Sequence, residues 1–158
     1  MSHQSFIYQN SNGNISVGTP TDEALQTQTI EQIAAKDTPA GTTYYIVDSA
    51  SLPVDTAFFN SWVFSTAPEV VVDLDKAKVQ FKNAEDASAA SLSTPLTQEY
   101  MRLTAIGGDT TAVQAQLKAI NAAAEETAYL DATSVPQLVA CWPAELGPNP
   151  FLPSAEAA

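Results

Sequence analysis

Positive charge is scarce in this chain: 6 Lys and Arg stand against 18 Asp and Glu, a formal net charge of −12 in 158 residues. That excludes nucleic-acid binding, because affinity for a phosphate backbone comes from neutralising it with clustered cations. Here the five lysines and Arg102 are scattered, and only Lys76, Lys78 and Lys82 lie near one another. An anionic membrane surface is disfavoured for the same reason. Long apolar runs are missing too: no window approaches the roughly eighteen residues a membrane span needs. Met1-Ser2-His3-Gln4-Ser5 has neither the basic nor the apolar region of a secretory leader. A single cysteine, Cys141, allows no internal disulfide and implies no oxidising compartment. The reading is a protein made in the cytoplasm and kept there or assembled from there into something larger.

Charge of either sign is thin. Charged residues make up 15% of the chain, against about 25% in an average soluble domain. Small neutral side chains take their place, a surface common in proteins that work packed against partners and equally a product of compositional drift in the source organism. Hydrophobic residues reach 45%, enough for a buried core, and the length suits one domain or a small domain with an appendage.

Residues 1–73 read as a small α+β module. Phe6-Ile7-Tyr8 and Ile15-Ser16-Val17 flank an Asn-Gly turn at residues 10–14, a strong antiparallel hairpin signal. Thr29 caps a short helix carrying Ile30, Ile33 and Ala34, which the breaker cluster Asp37-Thr38-Pro39-Ala40-Gly41 ends. Thr43 to Val47 is a strand. Val70-Val71-Val72 is another, and three valines in a row suggest burial on both faces.

From residue 74 to 143 the spacing becomes helical and describes an arm, a helical hairpin. Asp73 is placed to cap a helix carrying Leu74, Ala77, Phe81, Ala84 and Leu92. Thr94-Pro95 reads as the start of a second helix running to Gly107-Gly108. Asp109 caps another with Val113, Leu117, Ile120 and Ala124 on one stripe, and Ser134 with Pro136 opens a last short one. Residues 144–158, with Pro148, Pro150 and Pro153, are expected to be an extended or disordered tail. The alanine-rich stripes bury little area per turn, so such an arm gains most from close packing on itself or between subunits.

No catalytic, metal or cofactor site emerges. Asp73 and Asp75, with Asp48 and Asp55 nearby, lack the further oxygens, glycine and terminal glutamate of a calcium loop. Helix capping and the macrodipole already explain two acids at a helix start. The single histidine, His3, has no nucleophile motif anchored to it, and Cys141, beside Trp142, reads as packing rather than as a reactive thiol. Gly107-Gly108-Asp109-Thr110 lacks the Gly-Lys-Ser/Thr ending of a phosphate loop. The candidate docking residues are therefore large and apolar: Tyr45, Phe58, Phe59 and Trp62 in the first part, Leu117, Ile120 and Trp142 in the second. Core packing competes for the aromatic group. A carbohydrate or hydrolytic cleft would have to be built from Trp62, Tyr45 and Asp48.

Three segments together resemble small proteins of tailed bacteriophages and prophages associated with tail or tail-fibre genes. The first is Ile33 to Asp48, with Lys36-Asp37-Thr38-Pro39-Ala40-Gly41 leading into Tyr45-Ile46-Val47-Asp48. The second is Leu52-Pro53 to Asp55, Phe58, Asn60 and Trp62, closing at Val72-Asp73 and Lys76-Ala77. The third comprises Thr94-Pro95-Leu96, Gln114 to Ala119, and Ala132-Thr133-Ser134 ahead of Leu138. The chain departs from that pattern in having only Arg102 where such proteins carry several arginines. The resemblance implies a non-enzymatic virion component: a tail, tail-fibre or baseplate accessory subunit that contacts other tail proteins and forms homo-oligomers in assembly. Its alternative is a fibre-assembly chaperone absent from the mature particle.

Overall fold

A computed structural model describes residues 3–152. The chain divides into two compact units, Met1–Asp73 and Leu74–Ala158. It is an α+β protein, with its strands in the first unit and its long helices in the second.

In the first unit, β1 (Gln4–Gln9) and β2 (Ile15–Gly18) form the hairpin announced by the Asn-Gly loop. The Asn10 side chain accepts from the N–H groups of Asn12 and Asn14 at 3.0 and 3.1 Å. Gly13 takes a φ of 78° that residues with a Cβ rarely adopt. A one-turn helix α1 (Asp22–Leu25), capped by Thr21, was not expected from the sequence pattern. Helix α2 (Ile30–Asp37) starts with a full capping box, Thr29 and Gln32 each bonding the other's backbone N–H. Strand β3 (Tyr44–Asp48) then pairs antiparallel with β1, giving the order β2-β1-β3. Strands β4 (Trp62–Thr66) and β5 (Glu69–Val72) form a separate hairpin.

Side-chain alternation sorts these elements into layers. Phe6, Tyr8, Tyr44 and Ile46 pack on Ile30, Ile33 and Ala34 of α2. Ile7, Ile15, Val17, Tyr45 and Val47 pack on Trp62, Phe64, Val70 and Val72 of the β4–β5 hairpin. The three-stranded sheet is thus covered on both faces. The β4–β5 hairpin is not: Val70 is buried, but Val71, opposite Val63, is only half-buried. Burial on both faces of the valine run is therefore corrected, since no element among the described residues of this unit forms a fourth layer over it.

The second unit is built on α3 (Leu74–Ala105), which at 32 residues is about 48 Å long. The break expected at Thr94-Pro95 does not occur, and Pro95 lies inside one continuous helix. Around it Thr94 and Thr97 donate their hydroxyls to the carbonyls of Ala90 and Ser93 at 2.7 and 2.8 Å. These hydroxyls hydrogen-bond carbonyls in the turn that a proline disturbs. The helix ends in a Schellman turn: Gly108 N–H bonds Leu103 O at 2.9 Å, Gly107 N–H bonds Thr104 O at 3.3 Å, and Gly107 has a φ of 67°. Helix α4 (Thr111–Ala124) returns antiparallel, and the short α5 (Val135–Ala140) follows, capped by Ser134.

The segment after α5 also departs from expectation. Residues 144–152 are not an extended or disordered tail. Ala144–Leu146 form a 3-10 turn with Leu146 buried. Asn149 Nδ2 donates to Val139 O at 2.8 Å, and Trp142 Nε1 donates to Gly147 O at 3.0 Å. Phe151 stacks on Phe81, ring centroids 5.4 Å apart. The prolines space these anchors rather than prevent packing; residues 153–158 lie outside the described region.

Candidate interaction surface

The side chains singled out for chemistry are occupied with local structure. The Asp48 carboxylate accepts from Ala50 N–H at 3.0 Å, and Asp109 accepts from Thr111 N–H at 2.9 Å. Bonds from Thr111 hold the Asp109 carboxyl below its usual range. His3 is exposed, and its carbonyl accepts from Ser49 N–H at 2.9 Å, so its backbone is held beside β3. Cys141 is half-buried rather than buried, its thiol donating to Gln137 O at 3.3 Å. Among the described residues, no group of three or more His, Cys, Asp or Glu could hold a metal ion, and no helix is long and apolar enough to cross a membrane.

Of the docking candidates, Phe58, Trp62 and Ile120 are core residues at 0%, 3% and 7% exposure. They anchor their own units and cannot meet a partner without unpacking. Phe59, against the Trp62 ring at 4.9 Å, is exposed. Tyr45 meets Phe64 edge-on at 5.7 Å, and both line a concavity of about 440 Å³ with Gln9, Thr42 and Thr43. The cleft of Trp62, Tyr45 and Asp48 does not form, because Trp62 points into the core and Asp48 caps its own turn.

In the second unit Trp142 is half-buried against Phe81 at 5.6 Å, and Leu117 is half-buried on α4. Leu117 lines a second concavity of about 550 Å³ with Tyr100, Gln114, Lys118, Asn121, Ala122 and Glu125. No family model, curated protein or solved structure matches the chain. The surface must therefore be read from its own geometry.

That geometry is uneven along the helix hairpin. Near the start of α3, a third layer covers the seam. Phe81 is enclosed by Tyr129, Trp142 and Phe151, and Ala89, Ile120 and Ala123 pack with Leu146. Two lysines secure this end: Lys78 Nζ donates to Leu130 O at 2.7 Å, and Lys82 Nζ donates to Ala124 O, a cation at a helix C-terminus. Glu85 lies beside them at 1% side-chain exposure, 3.7 Å from Lys82 Nζ, and its Oε2 accepts no hydrogen bond. Burial pushes its pKa up, against the pull of Lys82.

Leu96 still packs against the cluster of Ala89, Ile120, Ala123 and Leu146, and past it the cover stops. Leu96, Tyr100, Leu103, Val113 and Leu117 are only half-buried, and Leu92 and Ile106 are 37% and 66% exposed. Sequence reasoning found Leu117 but missed Tyr100, Lys118 and Glu125. The available signal was spacing, since Lys118 and Glu125 stand seven residues apart on one flank of a helix.

Proposed function

We propose that the chain is a non-enzymatic component of a tailed-phage virion, a tail, tail-fibre or baseplate accessory subunit. It is made in the host cytoplasm and carried into the tail by contacts with other tail proteins, without cofactor, nucleic acid or membrane. One observation carries the assembly reading: the seam of the α3–α4 hairpin is covered at one end and half-open at the other. A helix pair must bury its apolar stripe against another layer to be stable, and this chain supplies that layer for only part of its length. Low charge suits a surface that ends in contact with protein. The resemblance of the Tyr45-Ile46-Val47-Asp48, Phe58-to-Trp62 and Val72-Asp73 segments to tail-associated phage proteins supports the tail as the place.

Mass spectrometry of purified, nuclease-treated particles of the encoding phage tests this, with copy number taken from peptide intensities. The expected result is a fixed low multiple per particle, matching fibres or baseplate. Absence from particles, with co-purification alongside fibre protein from lysates, overturns it in favour of an assembly chaperone.

A further inference from the structure

We infer that the open flank of the α3–α4 hairpin is a self-association surface on which a second copy of this chain docks the same flank, about a two-fold axis. The flank is the concavity of about 550 Å³ that runs along α4, with Tyr100 and Leu117 in its floor and Gln114, Lys118, Asn121 and Glu125 along its edge. Three features choose a second copy as its occupant.

The first is exposure: Gln114, Lys118, Asn121, Ala122 and Glu125 are all solvent-exposed, so this flank of α4 is left uncovered among the described residues. Two hairpins laid together form a four-helix arrangement, the common way to finish a two-helix layer. The second is charge. Residues 90–125 hold three carboxylates (Glu99, Asp109, Glu125) and two cations (Arg102, Lys118), a net of −1 in a chain whose total is −12. Glu99 and Arg102 already neutralise each other through two bonds of 2.7 Å. Two copies of so acidic a chain repel each other over most of their surface, and this segment is where they can meet with little repulsion. A basic partner would be drawn to the more acidic remainder instead.

The third is self-complementarity. Lys118 and Glu125 join no ion pair among the described residues. They lie about 10.5 Å apart along the helix, with Asn121 and Ala122 midway. A two-fold axis through Asn121 and Ala122 sets Lys118 of each copy against Glu125 of the other, as an isologous contact requires. The small Ala122 lets the helices approach closely at the axis, where the two Asn121 amides can bond each other.

Sedimentation equilibrium of the full chain between about 1 and 100 µM tests the inference, spanning the affinities that a small interface gives. The expected species is a dimer of 33.4 kDa, twice the 16.7 kDa chain. Lys118→Glu and Glu125→Lys should each weaken it about tenfold, since two opposed pairs turn repulsive, and the double exchange should restore it. Glu125→Lys is the sharper variant. It reduces the net charge from −12 to −10, so bulk repulsion alone predicts tighter association where opposed pairing predicts weaker. Both positions are exposed, and unchanged far-UV circular dichroism shows that the fold is kept. A wild-type chain that stays monomeric to 100 µM overturns the proposal, as does a dimer indifferent to the single exchanges. It stands apart from the tail reading, because a dimer in solution and presence in particles can fail independently.

Discussion

Adding one methyl group at Gly18 should disable the first unit. Gly18 ends β2 opposite Phe6, and the Phe6 ring lies across the glycine. A Cβ at Gly18 would sit 2.1 Å from Phe6 Cζ, 2.4 Å from Cε1 and 2.6 Å from Cε2, where carbon atoms prefer about 3.5–4.0 Å. The ring would have to withdraw by about 1.5 Å to restore that separation. It has nowhere to go, because Phe6 is 4% exposed and packs with Ile30, Ile33 and Ala34. Gly18→Ala should therefore cost about as much as losing a buried phenylalanine, roughly 3–4 kcal/mol. Urea denaturation followed by Trp62 fluorescence measures it. The chain has two tryptophans, so a Trp142→Phe background isolates the first unit, and the midpoint should fall by about 2 M. Phe6→Leu supplies the control. Leucine lacks the ring carbons that collide, so Gly18→Ala on that background should cost less than about 1 kcal/mol beyond the cost of Phe6→Leu itself. Equal costs on both backgrounds would refute the idea that the ring occupies the place of a side chain at Gly18.

Two further substitutions probe the second unit through Trp142. Burial raises the pKa of Glu85, so the folded state holds a proton there more tightly than the unfolded chain. Its stabilising contribution is then present below the ordinary carboxylate pKa of 4.5 and is lost as pH rises through the elevated folded value. Glu85→Gln should accordingly stabilise the unit at pH 7 by about 1 kcal/mol, with the advantage shrinking towards pH 4; an unchanged difference across that range would dismiss the explanation. Pro95→Ala should stabilise the unit by about 1–3 kcal/mol and raise helicity, since proline in an exposed helix interior is about 3 kcal/mol worse than alanine. A loss of stability would mean that Pro95 sets a bend the packing needs.

What could be read from the chain were features whose physics is local. The Asn10–Asn14 loop, the Thr29 cap, the Gly107-Gly108 stop and the Ser134 cap each depend on a few neighbouring residues, and each is where the sequence places it. Features decided by distant partners could not be read. Pro95 signals a helix start, but continuity with packed turns on both sides keeps α3 whole. Pro148 and Pro150 signal a loose tail, but Phe151 has a place beside Phe81. Of the docking candidates, Phe58, Trp62 and Ile120 were chosen for size, and size also drew them into the core. The flank of α4 was overlooked because its polar members, Gln114, Lys118 and Glu125, resemble any solvated helix face until Tyr100 is seen beside them.

The place of β1 has a consequence for how the chain acquires its structure. The first strand lies in the middle of its sheet, and β3 joins it only by pairing Gln4 with Asp48 and Tyr8 with Tyr44. That closure spans the β2 hairpin and both short helices, so most of the loop entropy is lost before the contacts form. The α3–α4 hairpin closes over a tight turn instead. Order should therefore arise in the reverse of chain direction, with the helices gathering first and the sheet last. During that interval the unpaired edge of β1 and the bare Phe6 and Ile7 are the most aggregation-prone surface the protein presents.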